Sequence, residues 1–136
     1  MLDRLTSTIN FQSEALVLRS ERQRLIASNI ANADTPGYVA RDMDFAKELR
    51  QATTSLAAGS PKVVATTQAG HISNLVNGRA PVELNYAQAA QTNLDSNTVD
   101  MDRERANFAD NSVRYEATLR FINGSVKTML SAITGQ

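Results

Sequence analysis

Stepping alternately by three and four residues from Leu2 picks out Leu2, Leu5, Ile9, Gln12, Leu16, Arg19, Gln23, Ile26 and Ile30, with Phe11, Ala15, Leu18 and Leu25 on a neighbouring row. This spacing predicts one amphipathic helix from about Leu2 to Ala33 with a broad apolar face. Thr35 precedes Pro36 and so avoids the α region, and Pro36-Gly37 fits the centre of a type II turn that ends the helix. At the other end, Met101, Arg105, Phe108, Ser112, Tyr115, Leu119, Ile122, Val126, Met129 and Ile133 follow the same steps. They predict a helix from about Val99 to Thr134, capped by Asn97 or Thr98, with Asp100, Asp102 and Glu104 favoured near its start by the helix dipole. Gly124 lies inside it and marks a candidate bend or close backbone approach.

The segment between these helices holds all three prolines and four of the six glycines, and reads as a long connector. Asp42 to Gln51 predicts a short helix capped by Asp42 or Asp44, with Phe45 and Leu49 on one face. Ala52 to Ala80 has no sustained period and reads as a flexible loop, while Val82, Leu84 and Tyr86 alternate with Glu83 and Asn85 as in a short strand. The organisation expected is therefore an N-terminal helix at 1–34, a connector at 35–96 and a C-terminal helix at 97–136. The fold class is mostly α, with the terminal helices forming an elongated antiparallel coiled-coil hairpin.

Length strengthens that picture. A 36-residue helix would extend about 54 Å at 1.5 Å per residue, whereas a compact globule of 136 residues has a radius of gyration of about 14 Å. Two paired helices leave much of their apolar faces wet, so other copies or related chains in a helical bundle are expected to cover them. The residues expected at that assembly interface are Leu5, Ile9, Leu16, Ile26, Asn29, Ile30 and Asn32 in the first helix. In the last helix they are Phe108, Tyr115, Leu119, Ile122, Val126, Met129 and Ile133.

Charge and composition remove other classes. Fourteen basic residues balance fourteen acidic ones, and the balance holds within each of the three segments, so the basic footprint of a nucleic-acid binder is missing. With no cysteine there is no disulfide framework, thiolate nucleophile or Cys-ligated zinc. Met1 to Ile30 is charged throughout, which predicts neither a spanning helix nor a signal peptide; export, if any, would use another route. His71 is the single imidazole, without a metal-binding partner nearby, and Ser60, His71 and Asp95 lack any nucleophile-elbow context. The run Asp95, Asn97, Asp100, Asp102, Glu104 fails calcium-loop spacing and reads as helix-capping carboxylates. No phosphate-binding glycine loop occurs. Neither an enzyme, a cofactor, a nucleic-acid partner nor a small-molecule substrate is expected.

The stretch Ser28-Asn29-Ile30-Ala31-Asn32-Ala33-Asp34-Thr35-Pro36-Gly37-Tyr38 can be read simply as a helix end and a turn. Two asparagines beside Ile30 nevertheless require hydrogen-bond partners if they are packed. The stretch resembles the Ala-Asn-Ile-Ala-Asn-x-x-Thr-Pro-Gly-Tyr signature of bacterial flagellar rod, hook and hook-associated axial proteins, with Thr35, Pro36, Gly37 and Tyr38 as its turn motif. Asn97 to Glu104 and Arg41-Asp42-Met43-Asp44-Phe45 narrow the resemblance to the short basal-body rod proteins of that family. It covers about 1–50 and 93–136.

The resemblance implies a structural subunit of the proximal rod, exported unprocessed through the flagellar type III apparatus and polymerised in the periplasm into a hollow, torque-transmitting shaft. Implied partners are other copies of itself, other flagellar rod proteins, the hook–basal body adaptor protein, the inner-membrane ring and the export apparatus. The competing reading from the residues is a coiled-coil adaptor or a membrane-surface helical protein.

Overall fold

The computed structural model describes residues 2–58, 82–87 and 94–135, and the side chains of the first stretch from 6 to 54. Ser60, His71 and most of the expected loop at 52–80 lie outside the described residues, as does the side chain of Leu5. The chain is mostly helical: α1 spans Leu2–Ala31, α2 Phe45–Ala58 and α3 Met101–Thr134, with two-residue strands β1 at Arg41–Asp42 and β2 at Asn85–Tyr86.

The long helices run antiparallel, because Asn29 near the end of α1 bonds to Glu104 near the start of α3, while Gln23 bonds to Ser112 further along. α1 is buried at Ala15, Leu18, Ile26 and Asn29. It contacts α3, α2 and β1, which makes it the spine of the structure. The expected turn forms as read: Tyr38 N–H donates to the Thr35 carbonyl at 3.2 Å, and Gly37 adopts φ +71°, where a Cβ would be strained.

Elsewhere the expectations need correction. The cap of α3 is Asp100, whose carboxylate accepts from the N–H groups of Asp102 and Arg103. The proposed caps are committed elsewhere: Thr98 Oγ accepts the Ala40 N–H at 2.8 Å, and Asn97 binds carbonyls at the end of α1. The α2 helix begins at Phe45 and continues seven residues beyond Gln51, to Ala58, so residues 52–58 are helix in place of the expected flexible loop. Asp44 is its cap, with Oδ1 accepting from Lys47 N–H at 3.0 Å.

The strand expected over Val82 to Tyr86 is only Asn85–Tyr86, paired with β1 as Arg41 to Tyr86 and Asp42 to Asn85. Alternation there does not signal a buried face, for Leu84 and Tyr86 are both exposed. Among the described residues a methyl group at Gly124 would meet no heavy atom within 4 Å, so none of them requires a close approach at that glycine.

Candidate assembly interface

Two parts of the structure form the site: a hydrogen-bonded joint at one end of the helix pair, and the long α3 surface that the joint holds in place. At the joint, Asn29 is 1% exposed and its amide links four groups. Nδ2 donates to the Arg41 carbonyl at 2.8 Å and to Glu104 Oε2 at 3.2 Å. Oδ1 accepts from Arg41 N–H at 3.1 Å and from the Tyr38 hydroxyl at 3.3 Å. One side chain thereby ties α1, the turn, β1 and α3 together. Buried polar groups need such saturation to be tolerated. Asn32, one residue past α1, behaves differently: it bonds back to the Ser28 carbonyl of that helix and accepts from Thr35 Oγ1, remaining half-buried.

Asn97, 4% exposed, closes the other side of the joint. Its Nδ2 donates to the carbonyls of Asn32, Ala33 and Thr35 at 3.0, 2.8 and 2.8 Å. Those carbonyls lie at the end of α1, beyond its hydrogen-bond ladder. The Thr98 N–H then donates to the Tyr38 carbonyl at 3.1 Å, so the chain enters α3 in a direction set by the turn.

Along α3 the buried positions are Glu104, Asn111 and Thr118, spaced by sevens and all polar. Asn111 Nδ2 donates to the Arg19 carbonyl at 2.9 Å and to Gln23 Oε1 at 2.6 Å, and Gln23 Nε2 donates to Ser112 Oγ at 3.0 Å. The apolar positions expected at the interface divide into two groups. Tyr115, Ile122 and Met129 are half-buried, whereas Phe108, Leu119, Val126 and Ile133 are 41%, 36%, 50% and 79% exposed. On α1, Ile26 is buried, and Ile9, Leu16 and Ile30 are half-buried. Alternation by three and four could have led to Glu104, Asn111 and Thr118 as readily as to Arg105, Ser112 and Leu119. Apolarity favoured the second row, and the fold buries the first.

A shallow groove of about 400 Å³ opens where α1 and α3 flank each other, lined by Ala27, Ile30, Ala31, Arg105 and Phe108. A more polar depression of about 280 Å³ lies beside the turn, lined by Ala33, Asp34, Thr35, Pro36, Asp95 and Asn97. Among the described residues no cluster of His, Cys, Asp or Glu could hold a metal ion, and no helix is long and apolar enough to cross a membrane.

The family model described as flagella basal body rod protein matches residues 9–38, the part of α1 and the turn that carries Asn29 and Tyr38. Over almost the whole length, the chain is 50% identical to the flagellar basal body rod protein FlgB of Proteus mirabilis (strain HI4320), covering 98% of both chains. It is 46% identical to FlgB of Salmonella typhimurium, with 99% of both covered, and 47% identical to FlgB of Escherichia coli K12, with 98% of this chain and 97% of that one covered. The chain belongs to the FlgB family of flagellar basal body rod proteins. The signature read from Ser28 to Tyr38 is therefore, in this FlgB-family chain, the segment that surrounds the Asn29 joint.

Proposed function

We propose that this chain is a structural, non-catalytic subunit of the bacterial flagellar basal-body rod, polymerising through its terminal helices into the hollow shaft that transmits torque. Membership of the FlgB family carries the role of rod subunit. The observation that supports polymerisation through α3 is the run Leu119, Val126 and Ile133, apolar and exposed on a helix whose polar face is already used. Apolar side chains aligned along a rigid helix gain by burial against another helix.

In this reading the terminal segments 1–34 and 97–136 are the axial elements of an elongated coiled-coil hairpin, and 35–96 is the connector between them. The assembled subunit lies in the periplasm, delivered without a cleaved signal peptide. Its neighbours are further copies, other rod proteins, the hook–basal body adaptor protein, the inner-membrane ring and the export apparatus.

The test is direct. In a strain carrying only an epitope-tagged copy, purified basal bodies should contain the chain at the rod, and deletion should abolish rods. In dilute solution it should sediment largely as a monomer. A stable defined oligomer that is absent from basal bodies would support the adaptor reading instead, and flotation with anionic liposomes would support the membrane-surface one.

A further inference from the structure

Leu94 is 102% exposed, as open to water as a leucine in an unfolded peptide. The backbone that presents it is not loose. Asp95 accepts the Gly37 N–H through its carbonyl at 2.8 Å, Ser96 holds a left-handed φ of 58°, and Asn97 grips three carbonyls at the end of α1. A left-handed conformation at a residue with a Cβ persists only where the surroundings impose it. An apolar side chain on such a fixed turn loses little conformational freedom on docking.

The same chain carries an apolar recess. The groove of Ala27, Ile30, Ala31 and Phe108 is apolar, with Arg105 at its edge. Leu94, being fully exposed, does not occupy the groove of its own chain. The charges correspond as well: Asp95, beside the leucine, and Arg105, beside the groove, are exposed and form no ion pair among the described residues.

We propose that the Leu94–Asp95 turn of one copy docks into the Ala27–Ile30–Ala31–Phe108 groove of the next copy, with the Asp95 carboxylate meeting the Arg105 guanidinium. The two patches are made of different residues of one chain, so the contact is heterologous. Repeated contacts of that kind build a ring or an open helical array rather than a closed dimer. This deepens the rod-subunit reading and rests on it, since it names the surface through which one copy recognises the next.

The chain lacks cysteine, which makes thiol cross-linking specific. A tagged Leu94→Cys chain and a differently tagged Ala31→Cys chain are produced together in a strain without the native gene, and basal bodies are treated with a short bis-maleimide. The expected product joins the two tags, and the double variant Leu94→Cys/Ala31→Cys gives a ladder of multimers. Asp95→Arg and Arg105→Asp should each reduce incorporation into basal bodies, and the combination should restore it.

Incorporation without cross-linking would overturn the docking while leaving the rod assignment in place. So would a product joining two Leu94→Cys chains, or capture of a different rod protein at either cysteine. Absence of the unsubstituted tagged chain from basal bodies would remove the rod assignment and the docking together.

Discussion

Asn29 and Glu104 are 75 residues apart in sequence, yet the amide of one donates to the carboxylate of the other at 3.2 Å inside the helix pair. Both are nearly inaccessible, at 1% and 3% exposure. The helix signature that ends in the turn and the helix head that follows the connector are therefore halves of one polar joint.

Replacing Asn29 with alanine should consequently destabilise the monomer before it affects assembly. Alanine is the better helix former by roughly 0.6 kcal/mol. Against this, the Arg41 N–H and carbonyl and the Glu104 carboxylate lose partners in a buried setting, at about 1 to 3 kcal/mol for each group left unsatisfied. The expected net loss is about 2 to 4 kcal/mol, read as a lower midpoint in urea denaturation followed by circular dichroism. An unchanged midpoint would show that the joint contributes nothing to folding.

Asn111 illustrates a different use of a buried amide. It is 2% exposed, and its Oδ1 has no partner among the described residues. A leucine there would remove that orphan acceptor and add apolar burial, but it would also leave Gln23 Oε1 and the Arg19 carbonyl without their Asn111 donor, so Asn111→Leu should keep the stability within about 1 kcal/mol of the parent. What should be lost is registry, because a buried polar group at one core position of a helix pair penalises slipped alignments. Spin labels at the exposed positions Ser20 and Glu116 should give one distance in the parent chain. In the variant a second population should appear, displaced by about 10 Å, the length of seven residues at 1.5 Å each.

Hydrophobic periodicity carried the helices because their extent depends on it: α1 and α3 fall within two residues of the expected bounds. The turn was readable because Pro36 and Gly37 have few backbone options. Periodicity could not decide which of two adjacent rows on α3 faces α1. Glu104, Asn111 and Thr118 are polar, and their burial depends on bonds to Asn29, to the Arg19 carbonyl and to the Arg114 carbonyl, the first two arising only once the helices pair. The cap was misplaced for a similar reason. Asn97 and Thr98 are good capping residues, but they satisfy the end of α1 and the N–H of Ala40, leaving Asp100 for the task.

The contact between α2 and the segment 82–87 should respond to pH. Burial pushes the Glu48 carboxyl above its ordinary value of 4.5, partly offset by the hydrogen bond it accepts from the Glu83 backbone N–H. Glu83 and Asp44 repel its charged form, and Lys47, paired with Glu83 at 2.8 Å, attracts it. A carboxyl whose pKa is raised by folding favours the folded state at low pH, where it is protonated in both states. That contribution is complete below pH 4.5 and is lost as pH rises through the higher folded value. Glu48→Gln keeps an acceptor for the Glu83 N–H and removes the charge. It should raise the melting temperature at pH 7, with an advantage that shrinks as the pH falls through the raised folded value and is gone below 4.5. An advantage independent of pH would mean that burial of charge at Glu48 has no energetic consequence.

Val126 separates assembly from folding more cleanly than its neighbour Ile122. Val126 is 50% exposed, whereas Ile122 is half-buried beside the polar row that faces α1. A carboxylate at 122 would disturb the helix pair itself; one at 126 stays solvated in the monomer and is desolvated only where another chain covers α3. Burying such side chains is worth roughly 1.5 to 3 kcal/mol apiece, and repetition of the contact in every copy multiplies the effect along a polymer. Val126→Asp should therefore give a monomer whose circular dichroism and melting temperature match the parent, while rods disappear from purified basal bodies and motility is lost. Subunit recovered from the periplasm would place the block after export. Normal rods containing Val126→Asp would show that this face of α3 remains in water after assembly, and that the helix pair polymerises through another surface.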